Sequence, residues 1–261
     1  MRISSPIGFK TFISGLSVSL LLGAHSFAEL PERLERALSV SVQEIDAQRV
    51  EVRISEGEHS IQAYVFPGID DAPDQYELIE PASEDDLSED QLAIWVGLRE
   101  PEDDDNDGSE DEDDRSDLTF DGAQFRAMIG TEVEPLGEQD GVMVYGFQPQ
   151  AMPGEDEPDR TTRRMLDAMT GTIGLTRHAE SQTDIVAFIE LTLEDSVKPN
   201  FAARVDAFEM VQRFVHDEDL AGPRLSRLSI DMAGSAAFQE FSENFSMDII
   251  DITYRQTDPN P

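Results

Sequence analysis

Apolar and polar residues alternate with a period of two along most of this chain, and a helical period replaces that alternation in only a few places. Leu30, Leu34, Ala37 and Leu38 recur at i, i+4, i+7 and i+8. With Pro31 placed where a first-turn proline is tolerated, they predict a short amphipathic helix over Pro31 to Val40. In Arg49 to Ser55, Val50, Val52 and Ile54 alternate against Arg49, Glu51 and Arg53. A Glu-Gly-Glu turn at 56–58 then leads into Ser60 to Phe66, which predicts a hairpin. An Asp- and Pro-rich segment, 69–75, runs into a short strand, Gln75 to Ile79. Ser88 and Gln91 have the spacing of a capping box, ahead of Leu92, Trp95, Val96 and Leu98, so a helix with one apolar face is expected there. A second short helix is read from Gly122 to Ile129.

From Thr131 onward the pattern is that of a β meander. Glu132 to Leu136 and Gly141 to Gln148 flank a Gly-Glu-Gln-Asp-Gly turn, and a loop from Pro149 to Asp159 follows. Further strands are expected at Met165 to His178, Asp184 to Leu193, Arg204 to His216, Leu225 to Met232 and Asn244 to Tyr254. In the third of these, Phe208, Met210 and Phe214 share one face while Val211, Arg213 and Val215 share the other. Long two-faced strands suit an antiparallel sheet wrapped around something.

The first 28 residues follow a different rule. Arg2 and Lys10 are their only charges, and an apolar run from Thr11 to Gly23 leads to a small-residue site ending at Ala28. This is the pattern of a cleaved secretory leader, the apolar run being too short to span a bilayer. Residues 29–261 are then expected to form one β-rich domain. The chain has no cysteine, so no disulfide staples this domain and no lipid can be attached through one. The expectation is a periplasmic or secreted protein, soluble and without a stable membrane anchor.

Charge narrows the partners. Asp and Glu number 56 against 19 Lys and Arg, a formal net charge of −37. The leader removes two bases and no acid, and Lys198 is the only lysine outside it. Such a surface repels phosphate backbones and anionic headgroups, which argues against nucleic acid as a partner and against electrostatic docking on membranes. Few lysines among so many acids also resembles the composition of proteins adapted to salty surroundings.

The densest acidity lies in an inserted loop, 100–117. There Asp103, Asp105, Asp107, Gly108, Asp111 and Asp114 have the spacing of a calcium loop, alternate carboxylates turning toward a hard cation. Ten of the thirteen residues from Glu102 to Asp114 are acidic, so the same spacing also arises from a solvated, disordered acidic loop. No other cofactor is expected. His59, His178 and His216 have no metal-ligand spacing, and no nucleophile elbow or phosphate loop is present. Gly171 and Gly174 read as a glycine pair inside a strand. No catalytic residue is assigned.

The order of elements carries a family likeness. Asp140-Gly-Val-Met-Val-Tyr-Gly-Phe-Gln-Pro149 resembles a characteristic strand of the LolA-like family of periplasmic lipoprotein carriers. Met169-Thr-Gly-Thr-Ile-Gly-Leu175, followed by Asp184 to Leu193, resembles its strand pair. The resemblance implies a strongly curved antiparallel sheet, an incomplete β-barrel, with two or three helices on its concave face and an apolar cavity. It also implies a non-enzymatic carrier of an amphiphile such as an acyl chain or a lipoprotein. The candidate lining residues are Trp95, Val144, Phe188, Phe208, Met210 and Phe214, each of which could equally fill a core. The alternative expectation is an envelope protein that acts as a structural or calcium-binding element through the loop 100–117.

Overall fold

Among the described residues, every strand has a hydrogen-bonded antiparallel neighbour in a single ten-stranded sheet. The structure, a computed structural model, describes residues 30–40, 47–68, 73–99, 120–151, 160–198, 203–220, 222–237 and 239–255. The expected leader and the acidic loop, with Asp103, Asp105, Asp107, Asp111 and Asp114, lie outside the described residues. In chain order the strands are β1 (Ala47–Glu56), β2 (His59–Phe66), β3 (Gln75–Glu80), β4 (Val133–Gln139), β5 (Val142–Phe147), β6 (Met169–Arg177), β7 (Asp184–Leu193), β8 (Ala203–Asp217), β9 (Gly222–Ala236) and β10 (Gln239–Tyr254). The helices are α1 (Glu32–Ala37), α2 (Glu89–Arg99), α3 (Gly122–Ile129) and α4 (Arg160–Ala168).

The sheet runs β3-β2-β1-β10-β9-β8-β7-β6-β5-β4 and does not close, so β3 and β4 are its edges. Each consecutive pair except the β3-to-β4 crossing is a simple meander step, and β1 meets β10 at the seam between the two meanders. Register shifts interrupt the β1–β10, β2–β3, β4–β5, β6–β7 and β8–β9 ladders. The ladder between β9 and β10 ends at Arg227 and Asp248, although β9 continues along β8 and β10 along β1.

One face of the sheet is apolar. Val50, Val52 and Ile54 of β1 pair with Ile252, Ile249 and Met247 of β10 on one side and with Val65, Ala63 and Ile61 of β2 on the other. Leu34 and Ala37 of α1, Ile94 and Trp95 of α2, Met128 and Ile129 of α3, and Met165 of α4 belong to the same buried cluster as these strand residues. Local chemistry starts two of the helices, and the capping box expected at Ser88 is one of these starts. Gln91 N donates to Ser88 Oγ at 3.2 Å and Ser88 N donates to Gln91 Oε1 at 3.0 Å, a complete capping box for α2. The Asp121 carboxylate caps α3 by accepting from the amides of Ala123 and Gln124.

Two sequence expectations are corrected. Met165 to Ala168 is the end of helix α4, and the strand begins only at Met169. Four helices are present among the described residues where two or three were expected. None of them is long and apolar enough to cross a membrane.

Candidate functional site

The apolar face changes character over β8, β9 and β10. Cross-strand pairing there sets out three rows on one face: Gln212, Leu228 and Met247; Met210, Ile230 and Phe245; Phe208, Met232 and Glu243. Phe208 and Ile230 are buried, while the other seven are only half-buried. The same rows continue into Ile189 and Leu191 of β7 and into Ile54 and Glu56 of β1. This is a grid of large, flexible side chains, three of them methionines, at the centre of the sheet and continuous with the core. Methionine is unbranched and polarisable, so such a surface can fit apolar groups of varied shape.

One end of the grid is plugged. Phe214 of β8 meets Phe120 and Phe125 edge-on, with ring centroids 5.3 and 5.6 Å away. Arg126 of α3 pairs with Glu35 of α1, and Arg33 of α1 grips Asp184 at the start of β7. His178 and His216 lie ring against ring at 3.9 Å. Beyond the point where β9 and β10 part, Asp217 Oδ2 accepts from Tyr254 Oη at 2.6 Å and from Arg224 Nε at 2.7 Å. Burial pushes the Asp217 carboxyl up, but the bonds from Tyr254, Arg224 and the Asp219 amide outweigh it and hold the group below the usual carboxylate range. For Tyr254, burial and the same bond push the phenol above its ordinary value.

At the other end sit carboxylates. Glu243 faces Met232, and Glu56 is paired with Phe245. Burial, helped by the charge on Glu56, raises the Glu243 carboxyl above its usual range.

The six expected lining residues do not form one surface. Phe208 and Met210 stand in the grid, and Phe214 stands in the aromatic plug on the same face. Val144 pairs with Gly174, which pairs with Phe188, and this row lies on the opposite face, with Val144 outside the main core cluster. Trp95 is buried in that cluster. Its Nε1 donates to Glu84 Oε1 at 2.8 Å, and Arg99 stacks 5.1 Å from the ring centroid. Its environment is that of a core tryptophan.

No family model matches this chain, and no curated protein or solved structure does. Sequence reasoning passed over Gln212 and Glu243, because a polar residue in a strand reads as solvent-facing. The signal was parity: Gln212 lies between Met210 and Phe214 on their face. Its Oε1 is buried and has no hydrogen-bond partner among the described residues. A separate cleft of about 460 Å³ beside β2 is lined by Arg53, Ser60, Ile61, Gln62, Glu80, Pro81 and Gln91, and is mainly polar. Among the described residues, no group of three or more His, Asp or Glu side chains could hold a metal ion.

Proposed function

We propose that this protein is a non-enzymatic exported carrier for an amphiphile such as an acyl chain or a lipoprotein, of the LolA-like kind, working in the periplasm or after secretion. The ligand's apolar part lies on the grid of β8, β9 and β10, sequestered from water by burial against methionine and phenylalanine. The observation that carries this reading is the half-burial of Met210, Leu228, Met232, Phe245 and Met247 at mid-sheet, where an ordinary core would be sealed.

Sheet geometry supports it. Each register shift adds an unpaired residue to one strand and bends it, and shifts recur on both sides of the β1–β10 seam. The parting of β9 from β10 fits a sheet that curls toward an incomplete barrel, and in this reading the grid is on its concave face. In this reading helices α1, α2 and α4, which contact the flanking strands β1, β2, β6 and β7, move outward to admit a ligand. The leader-like first 28 residues support export.

Native mass spectrometry after gentle purification tests the proposal. The expected result is a population of heavier species that release lipid on activation and are depleted in a Met232→Gln, Met247→Gln double variant. A bare chain mass, together with no binding of added long-chain amphiphiles, would overturn it.

A further inference from the structure

Two polar side chains interrupt the apolar grid, and they occupy diagonally opposite corners: Gln212 in the first row on β8 and Glu243 in the third row on β10. At about 3.4 Å per residue along a strand and about 4.8 Å between strands, they are roughly 17 Å apart along the sheet.

Each corner has its own chemistry. Within the sheet Gln212 is flanked by Ile189 on β7, Leu228 on β9, and Met210 and Phe214 on its own strand, none of which can donate a side-chain hydrogen bond. Its buried Oε1 accepts no bond among the described residues. A buried amide oxygen left unpaired is unfavourable, so a donor delivered by a ligand gains both the new bond and relief of that penalty. The Glu243 corner works by charge. Glu56 and Glu243 stand on the same face of β1 and β10, and burial together with Glu56 already raises the Glu243 carboxyl. A further anion placed there meets like charge in a partly desolvated setting, whereas a neutral or cationic group does not.

Resting on the carrier reading above, we infer that the occupant of this face carries an N–H or O–H donor that seats on Gln212 Oε1 and presents no anionic group at the Glu56–Glu243 corner. Amides, alcohols and amine-bearing amphiphiles belong to this class. Free fatty-acid carboxylates do not. Gln212 is thereby a specificity-determining residue, set inside an apolar surface that would otherwise take any chain.

Titration calorimetry with three probes of equal chain length, each kept below its micelle threshold, tests this: dodecanamide, methyl dodecanoate and dodecanoate. In the wild type dodecanamide is expected to bind about tenfold tighter than the ester, with dodecanoate weakest of the three. Gln212→Met, close in shape and unable to accept through an amide, should erase the amide's advantage while keeping the ester's affinity, which also reports that the variant is folded. Gln212→Leu serves as the second variant with the same expectation. Glu243→Gln should strengthen dodecanoate alone. Equal binding of amide and ester in the wild type, survival of the amide preference in both Gln212 variants, or dodecanoate binding as tightly as the others would overturn the inference and leave the carrier reading standing. Failure of all three probes to bind would overturn the carrier reading itself.

Discussion

Arg33 holds Asp184 through two parallel hydrogen bonds, Nε to Oδ2 at 2.9 Å and Nη2 to Oδ1 at 2.6 Å, and so ties helix α1 to the first residue of β7. The Asp184 side chain is 9% exposed and that of Arg33 is 43% exposed. Removing the arginine leaves a nearly buried carboxylate without its partner, while the open side of the pair lets water compensate in part. Arg33→Ala is therefore expected to destabilise the fold by about 2 kcal/mol in denaturant unfolding. Arg33→Lys should recover only part of this, because an ammonium cannot make the two-pronged contact. Arg36 pairs with Glu32 on the surface of the same helix, and Arg36→Ala should cost less than about 0.5 kcal/mol. Equal losses for Arg33→Ala and Arg36→Ala would contradict this account.

Acid should weaken the protein through identifiable groups. The bonds from Arg33 hold the Asp184 carboxyl below its ordinary value, and Asp217 is also held low by its partners. A group depressed in the folded state contributes its stability above its unfolded pKa of about 3.9, and that stability is lost as pH falls through the lower folded value. Glu243 has the opposite sign. Its raised pKa means that protonation favours the fold, so stability rises as pH falls toward about 4.3. Denaturant midpoints measured from neutral to strongly acidic pH should show Glu243→Gln removing the gain, and Asp184→Asn flattening the later loss.

The two glycines of β6 leave room for rings on opposite faces. A Cβ at Gly171 would come within 2.3 Å of the buried Phe147 ring, and one at Gly174 within 2.2 Å of the half-buried Phe188 ring. Phe188 can swing outward and Phe147 cannot. Gly171→Ala should thus destabilise by about 2 kcal/mol and Gly174→Ala by about 1 kcal/mol or less in thermal or denaturant unfolding. A larger loss at Gly174 would mean that Phe188 is held more firmly than its exposure indicates.

Gln91 does two jobs at the start of α2. Its Oε1 accepts from the Ser88 amide at 3.0 Å, and its Nε2 donates to the Ser60 carbonyl of β2 at 2.9 Å. Ser88→Ala should lose about 1 kcal/mol as a simple cap deletion. Gln91→Ala breaks the cap and the tie to the sheet together, so it should lose more. Hydrogen exchange should show that excess as faster opening at the β2 end of α2.

Much of this architecture was legible in the alternation of residues. Val50, Val52 and Ile54 against Arg49, Glu51 and Arg53 specify both a strand and its buried face, and the structure pairs them accordingly. The capping box at Ser88 marked the start of α2 to the residue. Helix α4 was not legible, because Arg160-Thr-Thr-Arg-Arg164 has no apolar residue to set a period before Met165. The placing of Phe188 failed for a different reason. Leu175 pairs with Val186 and Gly174 with Phe188, so Ala187 is an extra residue that shifts the phase of β7. Val186 and Ile189 then share the core face, three positions apart, and Phe188 turns outward. For Val144 the difficulty is a strand, Val142–Phe147, with apolar residues on both faces, which leaves its parity unstated until a neighbour is known. Gln212 was the converse case, a polar residue whose parity was readable and whose type argued against it.

The seam between β1 and β10 governs the order in which this protein can assemble. β1, β2 and β3 form a hairpin and a third strand early in the chain, yet the neighbour that joins them to the rest is the last strand of the sheet, with Val50 meeting Ile252. Until β10 is available, the apolar face of the first three strands has no sheet to continue into, and one edge of β1 stays unpaired. Contacts so distant in sequence form slowly and late. The chain must therefore be whole before its sheet can be, which keeps its early part pliable for as long as its final strand is still on the way.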